Sequence, residues 1–231
     1  MLPSEFPEVQ ACLQLNQLLA HQVDMQFVDL RSLLELPRAE GDGGCNFAVA
    51  SVLLNIIAGS SVCFYDAKPG GLTDRGDRSR RFNGILNDFY PWVGESVSKS
   101  VGVSVLYQSA RNPLTHSLGI DVPDAMAKPR QVSLKKWALT KDQVKELEDS
   151  ASRPSWAGST IPEVKRLQSG GGEVVVSIPA LYWGVHQMLH ALFADAVQAK
   201  NAEALVSQFG HLWDRYVSSS GAWHVISRRR R

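Results

Sequence analysis

Apolar residues recur at helical spacing along most of the chain. Residues 7–20 carry Val9, Leu13, Leu15, Leu18 and Leu19 on one side of a short amphipathic helix. Residues 23–36 follow the same rule with Phe27, Leu30, Leu33 and Leu34, and Pro37 then stops the helix. After a flexible glycine connection at 41–44, residues 45–65 form the most apolar stretch. It is long enough for a bilayer span. Asn46, Ser51, Asn55, Gly59, Ser60 and Ser61 interrupt it, which suits a helix over 45–62 at the centre of a bundle and not one in lipid.

A glycine- and charge-rich loop at 68–78 separates that helix from another around 79–90, which Pro91 ends. Residues 96 to 119 predict a further helix, with Val97, Val101, Val105 and Leu106 inward and Leu114 and Leu118 beyond. Pro113 removes a backbone donor inside it, so a kink or restart is expected there, with Asn112 as N-cap of the second segment. Residues 121–172 change character: Lys, Ser, Pro and Gly are frequent and apolar positions sparse, as in an irregular insertion. Within them Thr140-Lys-Asp-Gln143 is a capping box that opens a helix of about ten residues.

Val174, Val175 and Val176 predict a strand over 173–178, with 131–134 as its candidate partner. Two helices follow, one marked by Leu181, Val185, Met188, Leu189, Leu192, Phe193 and Ala196. The other is marked by Leu205, Phe209, Leu212, Trp213 and Tyr216. There is no internal repeat and no heptad array. The expected architecture is mainly α: a helical bundle forming one domain over 1–231, with a small β element in the C-terminal half.

Composition narrows the function classes. At 44% hydrophobic and 20% charged residues the chain can build a sizeable core, which excludes wholesale disorder, a collagen-like chain and a disulfide-stapled mini-protein. The formal net charge is +1, so any nucleic-acid contact must come from a local basic cluster and not from a global field. Cys12, Cys45 and Cys63 make neither a disulfide framework nor a CxxC pair, and fit thiols in the core of a protein from a reducing compartment. The opening MLPSEFPEVQ lacks the basic-then-apolar layout of a signal peptide, so a cytoplasmic location is expected. No GxxxxGK[ST] loop is present, and the glycines at 170–172 precede a strand, the wrong order for cradling phosphates.

The segment Ser109-Ala-Arg-Asn-Pro-Leu-Thr-His-Ser-Leu118 gathers Arg111, Asn112 and His116 at the end of an otherwise apolar helix. His116 is four positions after Asn112 and shares its face, while Arg111 lies roughly 140° away on a regular helix. A kink at Pro113 and the length of the arginine would bring guanidinium and imidazole into one pocket. Such a trio suits a phosphodiester: imidazole exchanges protons near neutral pH, and guanidinium grips phosphate through paired hydrogen bonds. The plainer reading is that these side chains bond to local carbonyls at a helix end.

Arg75, Arg78, Arg80 and Arg81 form a basic cluster, offset by Asp74, Asp77 and Asp88, that would guide phosphate toward His116 or simply solvate a helix start. Arginines 228–231 end the chain as a frayed basic tail. His186 and His190, four apart on a strong helix, have metal-ligand spacing, with His211 or Asp195 as conceivable third ligands. Beside Leu189, Leu192 and Phe193 they read better as boundary histidines with carbonyl or solvent partners, so no metal is assigned.

Arg111-Asn112-x-x-x-His116 near the end of a long helix resembles the RNxxxH form of the Rx4-6H signature of the HEPN superfamily. Tyr107 before the arginine and Ser117-Leu118-Gly119 after the histidine also suit that helix, and the likeness extends over residues 5–120 as helical context. The resemblance implies a helical bundle that often dimerises, and a metal-independent endoribonuclease, without cofactor, of toxin–antitoxin or other defence systems. By that resemblance His116 would be general acid or base, Arg111 would bind the scissile phosphate, and Asn112 would orient the site. Arg78, Arg80 and Arg81 would bind RNA. The expected partners are RNA, a second copy of the chain, and an antitoxin or other regulatory protein, with no membrane. Pro113 inside the motif and the 121–172 segment depart from the pattern. The alternative reading is a non-catalytic module on the same scaffold that binds a nucleotide or a protein.

Overall fold

A computed structural model describes residues 3–10, 13–36, 45–63, 65, 75–112, 130–135, 138–162, 164–166 and 172–198. The first long helix, α1, spans Leu13–Glu35 without a break, where two helices were expected. His21 and Gln22, at the expected join, carry neither the missing donor of proline nor the freedom of glycine, so nothing stops the helix there. Ahead of it, Pro7–Val9 form a single 3-10 turn, and residues 3–10 run across the protein as a short strap.

Helix α2, Asn46–Cys63, appears where the apolar stretch predicted it. Val49, Leu53, Leu54, Ile56, Ile57, Ser60 and Ser61 on it are all buried. None of the described helices is long and apolar enough to cross a membrane. Helix α3, Arg75–Phe89, begins inside the stretch read as loop. Helix α4, Lys99–Ser104, continues directly into a π-helical turn over Val105–Arg111. The kink expected at Pro113 and the helix expected around 205–216 lie outside the described residues.

The described parts of 121–172 carry regular structure. Strand β1 spans Arg130–Lys135, helix α5 Lys141–Asp149, and strand β2 Val164–Arg166. The capping box is formed as expected: the Gln143 backbone N–H donates to the Thr140 hydroxyl, and the Thr140 N–H to the Gln143 side chain. Strand β3, Gly172–Ser177, pairs in parallel with β1 from Arg130↔Gly172 to Lys135↔Ser177. The antiparallel strand β2 on its other side makes the order β1-β3-β2. This third strand, Val-Lys-Arg, is too short to show a period of two.

Helix α6, Ile178–Gln198, leaves β3 without a loop. Ser177 makes that junction possible. Its backbone N–H donates to Thr160 O at 3.1 Å, its hydroxyl donates to Ala157 O at 2.6 Å, and the same oxygen accepts from Ala180 N at 3.5 Å at the start of the helix. Every residue from Ile178 to His186 is buried, so α6 is the core helix and the strap, α1, α2, α3 and α5 enclose it.

A buried carboxylate locks the turn after α3 to the segment before β2. Glu95, whose side chain is wholly buried, accepts from Thr160 N at 3.2 Å and Ile161 N at 3.3 Å and pairs with Arg153. Arg153 lies 5.8 Å from the Trp183 ring centre and donates to Gly94 O at 2.8 Å. Beside this lock Tyr90 shares a 2.5 Å hydrogen bond with Thr160, and its ring crosses α6 at Gly184, where a Cβ would strike it. Burial drives the Tyr90 phenol to a higher pKa. Removing the carboxylate leaves a largely buried guanidinium without its counter-charge and two amides without their acceptor. Glu95→Ala should therefore cost about 3–5 kcal/mol, read from the urea midpoint of the full chain.

Candidate functional site

The expected site begins at the π turn. There the backbone hydrogen bonds reach one residue further than in an α-helix, so the Asn112 N–H donates to Tyr107 O. Such turns recur at functional positions because the wider winding re-aims side chains. Arg111 is the last residue of this one. Its Nη1 donates to Asn112 Oδ1 at 3.0 Å, and its Cζ lies 5.8 Å from the Tyr107 ring centre. Tyr107 in turn tilts against Phe82 of α3, with ring centres 5.3 Å apart. An aromatic pair thus backs the guanidinium and ties it to α3.

Two of the three motif residues come together in this way. Both Arg111 and Asn112 are half-buried, which leaves each reachable from solvent. His116 lies outside the described residues. Asn112 does not take the N-cap role: its backbone, at φ −64° and ψ −48°, is helical, whereas a cap residue is extended. Its side chain faces Arg111 instead.

The basic cluster divides. Arg80 is exposed, but Arg81 is only 2% exposed and is removed from any solvent-facing phosphate path. Arg81 lies four residues before buried Ile85 on the same face of α3, which turns it inward. For Arg75 and Arg78 the helical backbone is described and the side chains are not. The thiols differ from expectation too: Cys45 is exposed, at φ 54° just before α2, and not in the core. The side chains of Cys12 and Cys63 are outside the described residues.

A second cluster of ionisable groups joins the strap to α1, α5 and α6, and few local signals along the chain point to it. Arg31 of α1 pairs with Glu5 of the strap and, at 2.7 Å, with Glu148 of α5, which also accepts from the Tyr182 hydroxyl. Ser4 donates to Asp24 at 3.3 Å, and His190 pairs with Glu8 at 2.9 Å. Burial raises the Glu5 carboxyl above its ordinary value even though the Arg31 hydrogen bond and charge pull it down. Asp24 is raised by burial as well, against bonds from Ser4 and the Glu5 backbone. Burial opposes the charge on Arg31, but its bonds to Glu148 and Glu5 outweigh that and hold it more firmly protonated. Tyr182 is pushed up by burial and then by Glu148.

His186 stands in the middle of this cluster, 5% exposed. Burial lowers its pKa to about 3, helped by the charges of His190 and Arg31. Among the described residues no group of three or more His, Cys, Asp or Glu is placed to hold a metal. His190 sits at the boundary but has the Glu8 carboxylate as partner and not a carbonyl or solvent, while His186 is a core residue and not the boundary histidine expected. Asp195 is exposed, and His211 lies outside the described residues. The spacing Tyr182-x-x-x-His186-x-x-x-His190 puts all three on one face of α6, and was the available signal for a polar seam there.

Comparison of the chain with protein-family models, with curated proteins and with solved structures gives no match in any of the three. The site therefore rests on its own geometry. That geometry separates two neighbouring arginines. Arg80→Ala should stay within about 0.5 kcal/mol of the parent, and Arg81→Ala should cost about 1–3 kcal/mol, both measured by chemical denaturation.

Proposed function

We propose that the protein is a HEPN-like, metal-independent endoribonuclease that cuts RNA through attack of a ribose 2′-hydroxyl on the neighbouring phosphate. The observation that carries this reading is the Arg111–Asn112 pair, held together at 3.0 Å at the end of a π turn in a mainly helical protein. The guanidinium, set by Tyr107 and Asn112, is the group that would bind the scissile phosphate and stabilise the charge developing on it. Asn112 orients Arg111 directly, a more specific role than the general one the motif implies. His116 would exchange the protons.

In the cleavage step the 2′-oxygen forms a bond to phosphorus and the bond from phosphorus to the 5′-oxygen breaks. One imidazole takes the 2′-hydroxyl proton and another gives a proton to the departing oxygen. Two copies of the chain would supply the two histidines in one cleft, leaving a 2′,3′-cyclic phosphate and a 5′-hydroxyl. DNA lacks the nucleophile and is spared. In a defence setting, an antitoxin or other regulatory protein would hold such an activity in check.

Purified protein should cut structured RNA in the presence of EDTA. His116→Ala and Arg111→Ala should each lower the rate by about 100-fold or more, scored as cyclic-phosphate ends on a sequencing gel. Equal inertness of parent and His116→Ala over varied RNAs overturns the reading. Loss of RNA binding in Arg111→Ala with no product from the parent would mark a binding module instead.

A further inference from the structure

The strap of residues 3–10 is held to the rest of the protein by an unusual set of contacts. Phe6, fully buried, is its anchor. The ring lies 5.5 Å from His186, 4.9 Å from His190, 5.1 Å from Phe193 and 6.0 Å from Phe27, centre to centre. His186 is boxed in by the same rings, with Phe27 at 5.4 Å, Tyr182 stacked at 6.5 Å and His190 at 4.7 Å. Its Nδ1 is buried with no hydrogen-bond partner among the described residues. A neutral imidazole tolerates such a box. An imidazolium there would have two charged N–H donors in an aromatic enclosure beside the positive Arg31.

We infer that the strap is a pH-responsive latch whose sensor is the His186 imidazole, closed while that ring is neutral and released when it takes a proton. The elements packed about the ring carry these ionisable groups. Glu5 and Glu8 lie on the strap, Asp24 and Arg31 on α1, Glu148 on α5, and Tyr182 and His190 on α6. Helix α2 contributes no charged residue, and the charges that act on the His186 ring are those of His190 and Arg31, both disfavouring a second positive charge. Neither carboxylate of the strap is spent on His186: Glu5 pairs with Arg31 and Glu8 with His190.

The sign of the effect follows from linkage. With the strap seated, the His186 pKa is held at about 3; with the strap lifted, the ring returns toward its ordinary 6.5. The lifted state thus binds the extra proton, and closure is full above pH 6.5 and weakens as pH falls below it. Glu5 and Asp24, whose pKa values are raised, act in the opposite direction, favouring the seated state as they protonate. That effect sets in as pH falls through their raised values and is complete below their ordinary 4.5 and 3.8, so it offsets part of the His186 response, and removing the His186 proton site separates the two.

Hydrogen exchange of the full chain tests this, with each amide expressed as a protection factor to remove the intrinsic pH dependence of exchange. Protection over residues 3–10 should fall about fivefold between pH 6.5 and 5.5, while amides in the middle of α2 keep theirs. In His186→Phe, which keeps an aromatic filler and removes the proton site, the strap should lose this fall and show only the rise in protection that Glu5 and Asp24 give as they protonate. Flat protection in the parent, an undiminished slope in His186→Phe, or an equal loss across α2 would each overturn the latch. Should His186→Phe fail to fold, the ring of the parent decides by NMR titration: an imidazole that protonates near pH 6.5 while the strap keeps its protection refutes it.

Discussion

Helix α6 has no solvent face over its first half, and the rest of the architecture answers that constraint. A helix apolar on every side must be covered on every side. One flank takes α2, another α3 through Tyr90 crossing at Gly184, a third the α5 segment through Trp183, whose indole donates to Ser150 O at 2.9 Å. The remaining side, toward α1, is closed by rings: Phe27 packs on Tyr182 with centres 5.5 Å apart, and Phe6 fills the place between α1 and the last turns. The strap therefore completes the core and is no loose end.

That side is also where charge enters the interior. Arg31 is held by carboxylates 26 positions before it and 117 positions after it in the chain. A half-buried pair gives little net stability over apolar residues of the same shape, but breaking one partner carries a cost, and the geometry admits few alternatives. The Arg31 bridge thus specifies how strap, α1 and α5 meet, while the apolar and aromatic contacts supply the driving force. Glu95 plays the same part on the far side of α6, with backbone amides completing its shell.

Local signals in the sequence were readable and long-range ones were not. Thr140 and Gln143 announce their helix because both halves of the capping box lie within four residues. Leu181 through Phe193 announce α6 because burial repeats at the helical period. The division of α1 near Ala20 misread a change in the amphipathic pattern as an end, though no breaker stands there. The π turn left no trace, since shifting a hydrogen bond by one residue changes no side chain. Of the site, Arg111 and Asn112 were legible by spacing, and their mutual bond was not. The inward turn of Arg81 and the joining of Glu5 to Arg31 depend on neighbours far along the chain, which a window of sequence does not contain.

The parallel pairing of β1 with β3 has a consequence for the order of events during synthesis. Strand β1 emerges with no partner available, because β3 follows only after α5 and β2, and α6 follows later still. The inner faces of α1, α2 and α3 are translated long before the helix that covers them. A ribosome-bound chain thus carries Phe27, Leu53 and Ile85 without their covering helix until residue 178 is reached, so chaperones that shield apolar surface have their natural window on this protein before that residue leaves the exit tunnel.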